Sequence, residues 1–318
     1  NTGNGNQTDY TYMVCEAGSQ TCSNSVAVSF GQTIDATWST NPVSGDWNDP
    51  QNWTPPIVPD GPFARATFNT STITDVSLSG AIAVKNIIFN PGASAFTIAV
   101  RARQTLTLTG AGVTNNSGQE QNFILTRGTI MFENSATAGR NALYSCDGTI
   151  LFVDSSNAGK SMFVFSGGTV QGHGGGGADF RDNSSAADAT FILEAGTVAG
   201  ADGGTLGFLD SQVSAGNATI IANGATVANA RGGQVTFYAI LPSEPTIICN
   251  GGVNGGTGAE LMFFEGSNPG NLAHVQLNGD AFMDMSIAGD VTIGSLAGNG
   301  LVDLGDFTLT VGGNNQNT

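Results

Sequence analysis

A Gly-Thr-β-branched triplet recurs along this chain, at Gly128-Thr129-Ile130, Gly148-Thr149-Ile150, Gly168-Thr169-Val170 and Gly196-Thr197-Val198. Its threonines stand 20, 20 and 28 residues apart. A variant, Ala225-Thr226-Val227, follows 29 further on, and Gly251-Gly252-Val253 continues the series weakly. Two further columns keep step. One is aromatic: Phe180, Phe208, Phe237, then Phe263 or Phe264. The other is Ala189-Thr190-Phe191, Ala218-Thr219-Ile220, Pro245-Thr246-Ile247 and Ala273-His274-Val275. A period of 20 to 29 residues marks a solenoid whose units bury their apolar faces only by stacking.

Local patterning says what each unit contains. Short alternating runs such as TLTLT at 105–109, TIMFE at 129–133, TILFV at 149–153 and FTLTV at 307–311 read as strands with one buried face. Gly, Asn and Asp punctuate them as turns. No apolar pattern is sustained at i, i+3, i+4 and i+7, so helices are not expected. Several short strands per repeat predict an all-β chain folded as a right-handed parallel β-helix, each coil about 4.8 Å above the last. The fixed leucine pattern of leucine-rich repeats is missing, and a propeller blade would need about 40 residues. Residues 66–312 at roughly 25 per coil predict about ten coils and a length of about 48 Å. Glycine at 46 of 318 residues fits a chain that turns several times per coil.

The charge balance narrows the partners. Nine basic against 25 acidic residues give a net charge of −16. Nine cations cannot line a groove that tracks phosphates, so nucleic acid is not an expected partner. No apolar run reaches the length of a membrane-spanning helix. The chain starts with a polar stretch, NTGNGNQTD, so a secretory leader, if one existed, has already been removed.

Three regions are expected: an arm over 1–35, a Trp/Pro-rich cap over 36–68 and a β-helix over 69–318. In the arm, Cys15 and Cys22 lie seven apart in a Ser/Gly-rich segment. That spacing suits a small disulfide loop in an oxidising compartment; two free thiols are the alternative. The second region holds all three tryptophans, Trp38, Trp47 and Trp53, and six of the ten prolines. A solenoid end exposes unpaired strand edges, so these aromatics read as a cap. A carbohydrate platform is the competing role, because tryptophan faces stack on sugars. Register places Cys146 and Cys249 in one column, four coils apart, with Ser166, Glu194 and Asn223 between them. About 19 Å is too far for a disulfide.

The stretch SGDWNDPQNWTPPIVPDGPFARATF at 44–68, with NIIFNPGASAFTI at 86–98 and GVTNNSGQEQNF at 112–123, resembles autotransporter-type bacterial surface proteins with β-strand repeats. The Gly-Thr-β repeats with turns such as Phe132-Glu133-Asn134-Ser135 and the segment 291–318 are similar too. The resemblance covers about 36–318. It implies a right-handed parallel β-helix displayed outside the cell, at the bacterial surface. Members often continue into further repeats or an outer-membrane barrel; neither follows in this sequence.

Catalytic motifs are incomplete. Gly172-His173-Gly174 matches a triplet of polygalacturonase-like hydrolases, but the accompanying Asp pair and Arg-x-Lys are missing, so His173 reads as a turn residue. His274 is expected to face outward. Asp182 and Asp210 fall 28 apart and stack, with Asp179 and Asp202 in the same two coils. A Ca²⁺ site there competes with plain solvated turn carboxylates. GGGGAD at 174–179 occurs once, and single copies do not build a calcium β-roll. The second position of the threonine series (Met131, Leu151, Gln171, Ala199, Ala228) spoils an ice-binding array. No GxSxG, P-loop or nucleophile–base pair is present. The expected function is therefore a non-enzymatic structural or adhesive protein. It would associate with itself, head to tail as a filament or matrix subunit, through a bare C-terminal strand carrying Phe307, Leu309 and Val311, or with host or matrix polysaccharide. Polysaccharide binding or degradation is the alternative.

Overall fold

A computed structural model describes residues 8–12, 15, 18, 22–23, 26–30, 33–238, 243–264, 266 and 272–312. The described chain is nearly all β, and its strands stack in parallel as a β-solenoid of about nine turns. That is one fewer than the sequence period predicts, because the coils that carry loops use up to 29 residues each.

Two interior columns define the stack. Phe132, Phe152, Phe180, Phe208, Phe237 and Phe263 are successive register partners. Their rings stack at 4.7, 4.5, 5.2, 4.8 and 5.5 Å, nearly parallel. The aromatic column expected from the sequence is thus real, with Phe263 as its last interior member. On a second face Phe123, Tyr144, Phe163 and Phe191 stack at 4.6 to 5.0 Å. Ile220, Ile247 and Val275 continue that column. Tyr144 keeps its hydroxyl satisfied inside by donating to the Ala138 carbonyl at 2.8 Å. Burial pushes its phenol pKa well above the ordinary value.

A third corner repeats one turn device in four coils. Thr137, Asn157, Ser185 and Ser214 bridge in parallel. Each side-chain oxygen accepts the N–H two residues on, from Gly139, Gly159, Ala187 and Gly216. Gly159, at φ +64°, shows why glycine suits the position: a Cβ there would meet the Gly139 carbonyl of the coil below.

The N-terminal end is sealed. The strand Asp35–Trp38 pairs in parallel with Gly61–Phe68, and its other side is covered by Trp53–Thr54 running antiparallel. Trp38, Trp47 and Trp53 are buried at 1, 0 and 2% exposure and meet edge to face at 5.0 Å. Their indole N–H groups donate to the carbonyls of Ile73, Pro59 and Trp47. Phe68 joins this knot to Phe89 at 5.1 Å and so to the core. The cap expectation holds. The carbohydrate-platform expectation for Trp38, Trp47 and Trp53 does not, because no indole face is free to receive a sugar.

The threonine series is corrected. Thr129 and Thr149 are strand partners, but the next partner of Thr149 is Gly177, followed by Thr205 and Gln234. Thr169, Thr197 and Thr226 lie in loops outside the strands. The same triplet therefore serves two backbone environments. Cys146 and Cys249 do share a column, four rungs apart, but its interior occupants are Phe165, Leu193 and Ala222. Ser166, Glu194 and Asn223 are the next residues along and are not interior.

Candidate functional site

The change of period has a structural cause. Cys146 and Thr149 are three residues apart across a tight corner, whereas the equivalent Phe165 and Gly177 are twelve apart. The nine added residues leave the solenoid and return. Four successive coils do this, over 166–176, 194–204, 223–233 and 250–259, the last with eight added residues. Their backbones bond loop to loop: Thr197 to the Gly168 carbonyl, Gly172 to Gly200, Gly200 to Asn229, Asn229 to Gly255. The result is a ridge along one corner. Its loops pack so closely that a Cβ on Gly203 would enter the Gly232 backbone.

Clefts flank the ridge. A groove of about 430 Å³ follows the outgoing limbs and is lined by Thr169, Thr197, Thr226, Ser166 and Glu194. Beside it runs an amide ladder. Asn223 donates to Glu194 at 3.1 Å, Asn250 to Asn223 at 3.0 Å and Asn278 to Asn250 at 2.9 Å. Along the returning limbs a smaller cleft of about 160 Å³ holds Asp202, Arg231, Gln234 and Glu260. At the foot of the ridge, where the first loop overhangs the tight coils, Arg127, Asp147, Thr169 and His173 surround about 350 Å³. Thr169 belongs to both this cleft and the long groove. These surfaces offer hydroxyls, amides, four carboxylates, an imidazole and two guanidiniums, which suits binding of a polar ligand.

His173 closes a turn, its N–H donating to Val170 at 3.1 Å, as the sequence suggests, and its exposed ring borders the foot cleft. His274 is half-buried on its strand, with Nδ1 2.9 Å from the Ser295 hydroxyl. Asp182 and Asp210 do stack. Asp154 accepts the N–H of Asn134 at 2.7 Å, Asp182 that of Asp154 at 3.0 Å, and Asp210 that of Asp182 at 2.8 Å. Each carboxylate thus has one oxygen held by a backbone N–H of the neighbouring coil. Among the described residues no three His, Cys, Asp or Glu side chains converge as a metal shell. The fit to calcium at Asp182 and Asp210 is therefore poor, and the carboxylates serve as turn acceptors.

Cys15 and Cys22 form a disulfide. Cys146 and Cys249 are free and buried, and burial pushes both thiols up to about 12, which leaves them unreactive as nucleophiles. Of the assembly candidates, Leu309 packs against the core, while Phe307 and Val311 are 38 and 41% exposed.

The sequence pattern did not draw attention to Arg101, Arg103 and Arg127. One signal was available: a third of the nine basic residues fall within 27 positions. Comparison of the chain with protein-family models, curated proteins and solved structures finds no match.

Proposed function

We propose that this protein is an extracellular adhesive β-solenoid that presents its ridge and flanking grooves to a polysaccharide. The ridge itself carries the reading. The phenylalanine ladder runs past the point where the loops begin with no change of spacing, 4.7 Å before and 4.5 Å across it. The loops are therefore not needed to continue the core, and their side chains line grooves. The Cys15–Cys22 disulfide fits an oxidising compartment. The resemblance to autotransporter-type surface proteins points the same way.

The test is co-sedimentation with insoluble polysaccharides. Wild-type protein is expected to be retained, and the Thr169→Glu/Thr226→Glu variant to be released with its melting temperature unchanged. Retention on no polysaccharide of any class would reject the reading.

A second reading, self-association, rests on the face beyond the last described coils. Leu301 at 58%, Leu304 at 40%, Phe307 and Val311 are exposed together there. Edge strands with apolar side chains pair readily with another chain. Among the described residues the outer side of Asp35–Trp38 is covered by Trp53–Thr54, so this contact favours two copies of the exposed apolar face meeting over a head-to-tail fibre. Light scattering at rising concentration should show a dimer that Leu301→Lys abolishes; a monomer throughout would remove it.

A further inference from the structure

All nine cations lie among the described residues. Four are ion-paired: Arg65 with Asp35, Lys160 with Asp188, Arg181 with Asp179, and Arg231 with Asp202. Of the other five, three share one corner of the solenoid. Arg101 and Arg127 are register partners on adjacent rungs, about 4.8 Å apart along the stack. Arg103 follows Arg101 in the turn closed by the Gln104 N–H on the Arg101 carbonyl at 3.0 Å. All three are exposed. Like charges one rung apart repel, and this protein has 25 carboxylates with which it could have paired them. Arg103 and Arg127 even occupy positive-φ corners, at +69° and +57°, where glycine or asparagine is the ordinary choice. Asp147 is the nearest acidic neighbour by register, opposite Thr126, and forms no ion pair with Arg127.

This corner leads into the foot cleft. Arg127 is one of its walls, and Thr169 connects the cleft to the ridge groove. We propose that Arg101, Arg103 and Arg127 form a seat for the anionic groups, carboxylate or sulfate ester, of an acidic polysaccharide whose chain continues past His173 into the groove. The guanidinium fork matches the paired oxygens of either anion. Arg101 and Arg127 can grip one group jointly or two successive ones. The hydroxyl of Thr169 and the imidazole of His173 are placed for sugar hydroxyls. The long-range field of a protein at −16 repels polyanions, and screening beyond about 8 Å at physiological salt confines attraction to this seat. Binding is therefore expected to be short-ranged and salt-sensitive. Only the identification of the ligand as a glycan rests on the function proposed above.

The experiment measures affinity of the purified full chain for polygalacturonate, dextran sulfate, neutral dextran and a short single-stranded oligonucleotide. Acidic polymers should bind more tightly than dextran. Arg101→Gln/Arg103→Gln should weaken them about tenfold and leave dextran unaffected. Arg181→Gln, which removes a charge already paired with Asp179, should change nothing. Preference for polygalacturonate assigns the seat to carboxylates, and preference for dextran sulfate to sulfate esters; both support it. Dextran bound with no acidic preference overturns the seat but leaves ridge binding standing. Acidic binding that the double variant does not weaken also overturns it. Oligonucleotide binding without polysaccharide binding overturns the ligand class. Binding of none of the four overturns the seat, while the co-sedimentation test above decides ridge binding separately.

Discussion

Phe180→Ala should be among the most damaging single substitutions in this molecule. Phe180 is fully buried and sits third in the phenylalanine ladder. Its ring stacks on Phe152 at 4.5 Å and Phe208 at 5.2 Å, and meets Phe191 edge-on at 5.9 Å. Truncating a buried phenylalanine costs about 3 to 5 kcal/mol, through lost transfer energy and the cavity left behind. Each ring pair adds about 0.5 to 1.5 kcal/mol beyond area burial. With neighbours on both sides, Phe180 belongs at the top of that range, about 5 kcal/mol. Among the described residues Phe263 ends the ladder with Phe237 as its one stacked partner, so Phe263→Ala should cost about 1 kcal/mol less. Phe307→Ala, at a 38% exposed site, should cost about 1 kcal/mol or less. Urea unfolding followed by circular dichroism gives these differences. Tryptophan fluorescence supplies a local probe, since all three indoles sit in the first coil. Coils couple only to their neighbours, so a damaged centre should separate the two probes. A Phe180→Ala loss no larger than that of Phe307→Ala would show that the ladder does not carry stability.

Other outcomes can be checked directly. Cys146 and Cys249 should resist thiol reagents in the folded protein and react on unfolding, with no bond between them by mass spectrometry. Their folded pKa of about 12 lies above the unfolded value near 9, so their contribution to stability is full below about pH 9 and is lost as pH rises towards 12; denaturant midpoints across that interval measure it. Asp182→Asn should hold or raise the melting temperature, because an amide oxygen still accepts the Asp154 N–H while one of three stacked charges disappears. Trp47→Ala should cost about 3 to 5 kcal/mol, with fluorescence changing before circular dichroism, since the buried ring closes the first coil.

Much of the architecture was legible in the residues. Alternating runs and glycine punctuation specify short strands with one buried face. The aromatic column and the Ala-Thr-apolar column keep their register in three dimensions, because apolar side chains must stack inside a coil. The column shared by Cys146 and Cys249 was legible as well, although its intermediate members were read one residue late. The tryptophan knot read as a cap because an exposed first rung has to be covered. The candidate site was much less legible. Asp182 and Asp210 stack as their spacing says, yet the groups that share their oxygens are backbone N–H groups, which no side-chain pattern reveals.

By itself, then, the sequence determined an all-β stacked solenoid and its inward columns, and it offered the sealed start and the short disulfide loop, each beside one alternative. Each follows from local periodicity or from a spacing of a few residues. Only the tertiary structure decided that Thr169, Thr197 and Thr226 leave the strand column of Thr129 and Thr149 and line a ridge. A glycine-threonine triplet satisfies a strand entry and a loop turn equally well, and nine inserted residues move it from one to the other without disturbing the core. The same holds for Arg101, Arg103 and Arg127. They are scattered charges along the chain and become one basic corner only when adjacent rungs bring them together.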